Sequence, residues 1–336
     1  MKSLSLTAWS CAALLGWFGA TGRAQSIAPV PGAGYVQRDG SVQIVCAADL
    51  RGVTERIGAE FARRHPGTRF AVVPANDLAA LQSLAFDATA CAPVGTDVLG
   101  GAAVAYGALV HAEAFSIRIA HGSLDPSAAI AATAVIVHPS NPLARLSVDQ
   151  VARIFTEPMR KSNFTRWGQA GVNGAWAAEM IHPYGIAWSE HFVSEDPSFS
   201  DWMFQRKLGG GPPVPGYSMV ESYARVGEKV AADPLAIGLI ALNRVPAGVK
   251  IVGLVGNPWA APSVGSAEDL SAGRYAFDRY VNIFVRRVPG RPFDPLVREY
   301  LRVALSPEGQ RAIAADTRHY LPLNPVEIGE ELAKLQ

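Results

Sequence analysis

The sequence predicts a two-lobed α/β protein, and three observations carry that prediction. A chain of 336 residues exceeds the size of one ordinary hydrophobic core, so two lobes of roughly 100–150 residues each are expected. Strand-like and helix-like hydrophobic patterns alternate from residue 42 onward, which implies a mostly parallel sheet with helices on its faces. A late apolar strand, Tyr280–Val285, followed by a helix over Pro295–Leu305, can return the chain to the first lobe after the second has been built.

The chain opens with Met1-Lys2, an apolar stretch over 4–20, and Gly22-Arg23-Ala24 ahead of Gln25. This reads as a secretory signal peptide cleaved after Ala24, covering 1–24. Cys11 lies inside the apolar stretch, with none of the flanking residues that mark a lipid-attachment site. The Pro- and Gly-rich stretch 25–40 reads as a linker. Val42–Ala47 is then a first strand. Val53, Ile57 and Phe61 stripe one face of a helix that His65-Pro66-Gly67 ends, and 70–73 is a second strand. A helix carrying Leu78, Leu81 and Leu84 and a strand through 89–94 continue the alternation.

Alternating Phe115, Ile117 and Ile119 predict a half-buried strand, and 134–137 a fully buried one, where the first crossover between lobes is placed. Leu146-Ser147-Val148-Asp149-Gln150-Val151 is a helix start, with Ser147 as cap and Gln150 reaching back. Ser218-Met219-Val220-Glu221 has the same pattern and is expected to open a helix through Val226 and Val230. A strand over 237–242 follows. The boundaries expected are 41–133 plus 274–336 for lobe 1 and 134–273 for lobe 2.

Composition excludes several classes. Hydrophobic residues make up 49% and charged residues 18%, too apolar for a disordered chain. Thirty Lys and Arg against 29 Asp and Glu leave a net charge of +1, so no global field points to nucleic acid as a partner. Past the leader no apolar run reaches the roughly 18 residues that a membrane span needs. Seven histidines form no His-Glu-x-x-His helix, and His182 and His191 have no matching cysteine or carboxylate pattern, so no metal is expected. No nucleophile elbow, phosphate loop or dinucleotide fingerprint is present, and Gly209-Gly210-Gly211 runs into proline rather than opening a helix. Neither catalysis nor a cofactor is expected. Of three cysteines, Cys46 and Cys91 remain after the leader. In an oxidising compartment they either pair as a disulfide or stay as two buried thiols, and both readings are open.

Several segments carry a resemblance. Asn141-Pro142-Leu143, then Leu146-Ser147-Val148-Asp149-Gln150-Val151-Ala152-Arg153-Ile154-Phe155-Thr156 and Trp167-Gly168, resemble a run found in PstS-like phosphate-binding proteins of ABC importers. Ala232-Asp233-Pro234-Leu235-Ala236-Ile237-Gly238 resembles that family's helix-to-strand turn. Leu305-Ser306-Pro307-Glu308-Gly309-Gln310 with Tyr320-Leu321-Pro322-Leu323 resembles its C-terminal segment, and Phe61 to Val73 with His65-Pro66-Gly67 is similar to its first helix and second strand. The resemblance spans about residues 42–325 in matching order. It implies a type II periplasmic-binding-protein fold: two α/β lobes, two crossover strands, and a ligand in the interlobe cleft. It also implies a periplasmic location, a small solute such as phosphate or a similar inorganic oxyanion, and an ABC permease in the inner membrane as partner.

The family's phosphate site uses a Gly-Ser-Ser/Thr loop after the first strand, a Ser after the second, an Asp near the third and an Arg-x-x-Gly-Ser-Gly-Thr segment in the second lobe. This sequence departs at each place: Cys46-Ala47-Ala48-Asp49, Asn76-Asp77, Ala90, and Gly185-Ile186-Ala187-Trp188-Ser189-Glu190. Strand ends and helix starts in open α/β sheets face the cleft, so the ligand set expected is Ala48, Asp49, Asn76, Asp77, Thr96, Tyr184, Trp188, Ser189 and Glu190. Asp and Asn at such places also cap helices and make turns without any ligand. Asp49, Asp77 and Glu190 oppose a dianion. The alternative function is a ligand-degenerate scaffold of the same fold used for sensing or protein–protein interaction.

Overall fold

The computed structural model describes residues 27–97, 101–157, 162–186, 196, 198–199, 201–256 and 261–336. Among them, β1 (Val42–Ala47), α1 (Arg51–Arg64) and β2 (Phe70–Ala75) form a β-α-β unit with β1 and β2 parallel in register Val42↔Phe70. Helix α2 (Asp77–Ala85) and strand β3 (Ala92–Val94) follow. Thr89 ties this strand's approach to β1, its hydroxyl accepting from the Val45 N–H at 2.8 Å. Helix α3 (Ala102–Val110) has no counterpart in the sequence reading, because its Ala-rich residues carry no apolar stripe. Strand β4 (Phe115–Ser123) completes this part.

The second part starts with β5 (Thr133–Val137), β6 (Arg145–Ser147) and α4 (Val148–Phe155). It continues through β7 (His182–Ile186), a seven-residue π-helical segment Asp201–Lys207 and β8 (Ser218–Val220). Helix α5 (Tyr223–Ala232), β9 (Ala236–Ala241), β10 (Lys250–Ile251), β11 (Gly253–Val255) and α6 (Ala267–Ser271) finish it. The chain then returns through β12 (Tyr280–Val285), α7 (Pro295–Leu305), α8 (Pro307–Ala314), β13 (Tyr320–Pro322) and α9 (Pro325–Ala333).

Two larger sheets result, ordered β13-β4-β12-β3 and β10-β5-β9-β7-β8, beside the pairs β1-β2 and β11-β6. Their cores are separate. One gathers buried side chains from Ala131 to Phe277, including Trp167, Phe204 and Ile237. The others draw only on residues before and after that stretch, with Ile44, Phe61, Ile283 and Tyr300 in one, and Leu81, Tyr106 and Phe284 in the next. The chain passes between the two groups twice, and the passages run side by side. The Gly122 N–H bonds the Arg279 carbonyl at 2.6 Å, and the Thr133 N–H bonds the Phe277 carbonyl at 3.0 Å.

The segment 27–40 is anchored: Tyr35 is buried in the core that holds Ile44 and Phe61, and its hydroxyl donates to Asp294 at 2.5 Å. Cys46 and Cys91 are two buried thiols, so of the two readings open for them the structure takes the unbridged one. One helix start is corrected. Ser218 does not cap α5; it pairs with Tyr184 in the parallel β7–β8 ladder, and Ser222 is the cap, accepting from the Arg225 N–H. The strand takes the first of two Ser-containing positions, so the helix begins one turn later.

The Ser147 box forms as the sequence predicts: the Gln150 N–H donates to Ser147 Oγ at 3.2 Å and the Ser147 N–H to Gln150 Oε1 at 2.9 Å. Ser147→Ala should lower stability by about 1 kcal/mol. Urea unfolding followed by tryptophan fluorescence reads it, since Trp167 lies fully buried in the same core as Val151; an unchanged midpoint would show that the box does not hold α4.

The segments that carry the family resemblance are mostly joints. Asn141 turns the chain by accepting from the Leu143 N–H. Gln310, 6% exposed, donates to the carbonyls of Ile119 and Ala304 and accepts from the Leu323 N–H, tying α8 to β4, α7 and the end of β13. A methyl at Gly238 would sit 2.8 Å from Val226 and 2.9 Å from Val230, so only glycine lets α5 pack this close on β9.

Candidate functional site

The loop after β3 and the second passage between cores meet at one guanidinium, with Asp77 after β2 within its field. Arg279, 3% exposed, stands immediately before β12. Its Nε donates to the Gly95 carbonyl at 2.7 Å. Its Nη1 donates to Asp196 Oδ2 at 2.5 Å, and Nη2 lies 3.4 Å from Asp196 Oδ1 and 2.5 Å from Ser198 Oγ. Ser198 Oγ donates onward to Asp196 Oδ1 at 2.8 Å, and the Tyr223 hydroxyl to Oδ2 at 3.1 Å. Trp202 lies against the same guanidinium, with its ring centre 5.5 Å away. Gly95 belongs with the first cores and Tyr223 with the second, so Arg279 is a cation buried where the two meet.

Burial opposes charge on both partners, and their attraction outweighs it: Asp196 is held below the usual carboxylate range, and Arg279 is held more firmly protonated than usual. Asp77 stands at the start of α2, within the same field. Burial pushes its carboxyl above the usual range; Arg279 pulls it down, and Asp196 pushes it up again.

The expected ligand residues divide. Asp49, Asp77 and Thr96 lie around this point. Asp49 neither caps a helix nor stands free: its carboxylate accepts from the Ala129 N–H at 3.0 Å and from the Tyr320 hydroxyl, and pairs with Arg318 Nε at 3.0 Å. Ala48, beside it, is exposed. Thr96 is buried directly after Gly95. Asn76 spends its side chain capping α2, accepting from the Ala79 N–H at 2.8 Å. Tyr184 is held elsewhere, half-buried on β7 beside Asp233, which also binds His182 at 2.7 Å. Trp188, Ser189 and Glu190 lie outside the described residues.

Sequence reasoning missed Arg279, Asp196, Ser198, Tyr223 and Arg318. One signal was present: Asp278-Arg279 places two opposite charges at the head of an apolar strand, where neither is needed for the strand itself. Asp278 belongs to a second buried cluster behind the first. His121 on β4 places Nδ1 2.6 Å from Asp278 Oδ2 and Nε2 3.0 Å from Glu327 Oε2. Among the described residues no group of His, Cys, Asp and Glu is arranged to hold a metal ion.

Two groups of buried side chains joined by paired passages, with a buried cation at their junction, define a two-part α/β scaffold. Comparison with known proteins agrees on the fold. PstS from Borrelia burgdorferi superposes with a TM-score of 0.55 at 16% identity, covering 84% of this chain and 98% of that one. An ABC-type phosphate transport receptor from Vibrio cholerae gives 0.52 at 16% identity, covering 83% and 99%. In sequence, the chain is 27% identical over 228 residues to the phosphate-binding protein PstS of Pseudomonas aeruginosa, spanning 67% of this chain and 68% of that protein. No family model matches the chain. The chain has the type II periplasmic-binding-protein fold of these structures and is similar in sequence to a PstS phosphate-binding protein.

Proposed function

We propose that this chain is the periplasmic substrate-binding component of an ABC importer and takes a small anion in the cleft between its lobes. The observation that carries the reading is Arg279: a guanidinium 3% exposed, reached from both cores, and already engaged with carboxylate oxygens. A buried charge of this kind is retained only with a matched partner, here the Asp196 carboxylate, and a solute anion would take that partner's place. The signal-peptide reading of 1–24 and the PstS-like relatives support export and a permease partner. On this reading the lobes divide near 133 and 274, at the paired passages, and Asp49, Asp77 and Thr96 line the mouth of the site. Hinge closure follows, because a solute touching both lobes favours the closed state.

The departures from the family's phosphate loop make the oxyanion an open choice within this reading. Hydrogen bonds to charged groups contribute about 1.5–3 kcal/mol each, so the missing hydroxyls lower phosphate affinity by several powers of ten. The Arg279–Asp196 pair also favours a second reading, a scaffold whose cleft is filled by its own side chains and serves a protein partner. Calorimetric titration of the mature chain at low salt with phosphate, sulfate, formate and acetate separates the two. The importer reading expects saturable one-to-one binding of at least one anion, lost in Arg279→Gln. Absence of heat across the panel, with no change in tryptophan fluorescence, would remove it.

A further inference from the structure

We propose that Asp196 is the resident ligand of the cleft, occupying the place on Arg279 that the solute takes, and that the solute to which it yields is a small carboxylate rather than phosphate. The proposal rests on the anion-binding reading above and names its substrate class.

The donors around Asp196 form a built carboxylate site. Arg279 Nη1 at 2.5 Å and the Tyr223 hydroxyl at 3.1 Å converge on Oδ2. Ser198 Oγ at 2.8 Å and Arg279 Nη2 at 3.4 Å converge on Oδ1. The third guanidinium nitrogen is committed to the Gly95 carbonyl, which fixes the fork in place. The fork of a guanidinium matches two oxygens in one plane. A tetrahedral dianion presents three or four oxygens, and the donors named here serve two.

Position gives the pair its consequence. Asp196 and Arg279 are 83 residues apart in sequence. Asp196 is bonded to Tyr223 of the second core and Arg279 to Gly95 beside the first, so one ion pair both fills the site and holds the two halves together without any solute. A solute must replace an intramolecular carboxylate, and apparent affinity falls by the fraction of molecules whose Arg279 is free. For a charge-assisted hydrogen bond of ordinary strength that factor is about 10 to 100.

The test compares wild type, Asp196→Ala and Asp196→Asn with formate, acetate, sulfate and phosphate at constant ionic strength, by calorimetry and thermal melting. Asp196→Ala removes a carboxylate about the size of formate, so formate and acetate should bind it about 10- to 100-fold more tightly than they bind wild type and should raise its melting temperature. Asp196→Asn, which keeps the shape, should show the same direction and covers the case where the alanine variant does not fold. Adding Arg279→Gln should abolish the gain. Equal anion affinity in wild type and both variants would overturn the resident ligand while leaving the anion-binding reading in place. Phosphate bound more tightly than acetate by Asp196→Ala would overturn the carboxylate class. No anion bound by any of the three proteins would overturn both the inference and the reading beneath it.

Discussion

Replacing His121 with alanine should lower the free energy of unfolding by about 3–5 kcal/mol, the range found when one member of a buried charged group is removed and its partners are left behind. His121 is 0% exposed. It lies between Asp278, 2.6 Å from Nδ1, and Glu327, 3.0 Å from Nε2. The Tyr280 hydroxyl donates to Glu327 at 3.0 Å, and the Tyr280 ring covers the imidazole at 4.9 Å. Glu327 is committed further, since Oε2, the oxygen that faces the imidazole, also accepts from the Asn324 N–H and closes the box that starts α9. Without the imidazole, two buried carboxylates would face each other across the space it leaves.

The same cluster gives a pH signature. Burial alone depresses the pKa of His121, but the two carboxylates outweigh it and raise the value from 6.5 to about 9. A folded-state pKa above the unfolded one stabilises the fold fully below about pH 6.5, and that stabilisation is lost as pH rises through 9. The loss amounts to about 3 kcal/mol across the interval. Denaturant midpoints of the wild type between pH 6 and 10 should fall accordingly, and His121→Ala should flatten the profile. A wild-type profile without slope in that range would show that His121 is not charged in the folded protein.

Arg279→Met should be comparably severe, at about 3–5 kcal/mol, because it leaves Asp196 buried with 11% of its side chain exposed and no cation beside it. Combining it with Asp196→Ala should then be less harmful than the sum of the two single changes, since the second removes the charge that the first has stranded. A double-mutant cycle of unfolding free energies measures this coupling. Additive effects would mean that the two groups do not depend on each other in solution.

Where local chemistry decides structure, the sequence was readable. Val42–Ala47, Tyr280–Val285 and Pro295–Leu305 occur with the limits their patterns predict. The last helix is set by Asp294, which accepts from the N–H groups of Leu296 and Val297, with proline at its first turn. Legibility failed where two segments compete or where no stripe exists: Ser218 against Ser222, and the Ala-rich helix Ala102–Val110. The candidate site was harder still. The motifs that resemble the family, at Asn141, Gly238 and Gln310, serve turns and close packing, so they report the fold and carry no ligand chemistry. The partners at the junction are far apart in sequence, 83 residues for Arg279 and Asp196 and 271 for Asp49 and Tyr320. Neither periodicity nor spacing links such residues before the chain has crossed between its halves.

The Arg279 carbonyl is pinned to the Gly122 N–H in the neighbouring strand while the guanidinium of the same residue reaches the far half of the molecule. Fulcrum and fingertip therefore share one α-carbon. Were the two halves to bend as proposed, the fork would turn directly, with no chain of intermediates to carry the signal, and whatever gripped it would resist that bending at its own pivot.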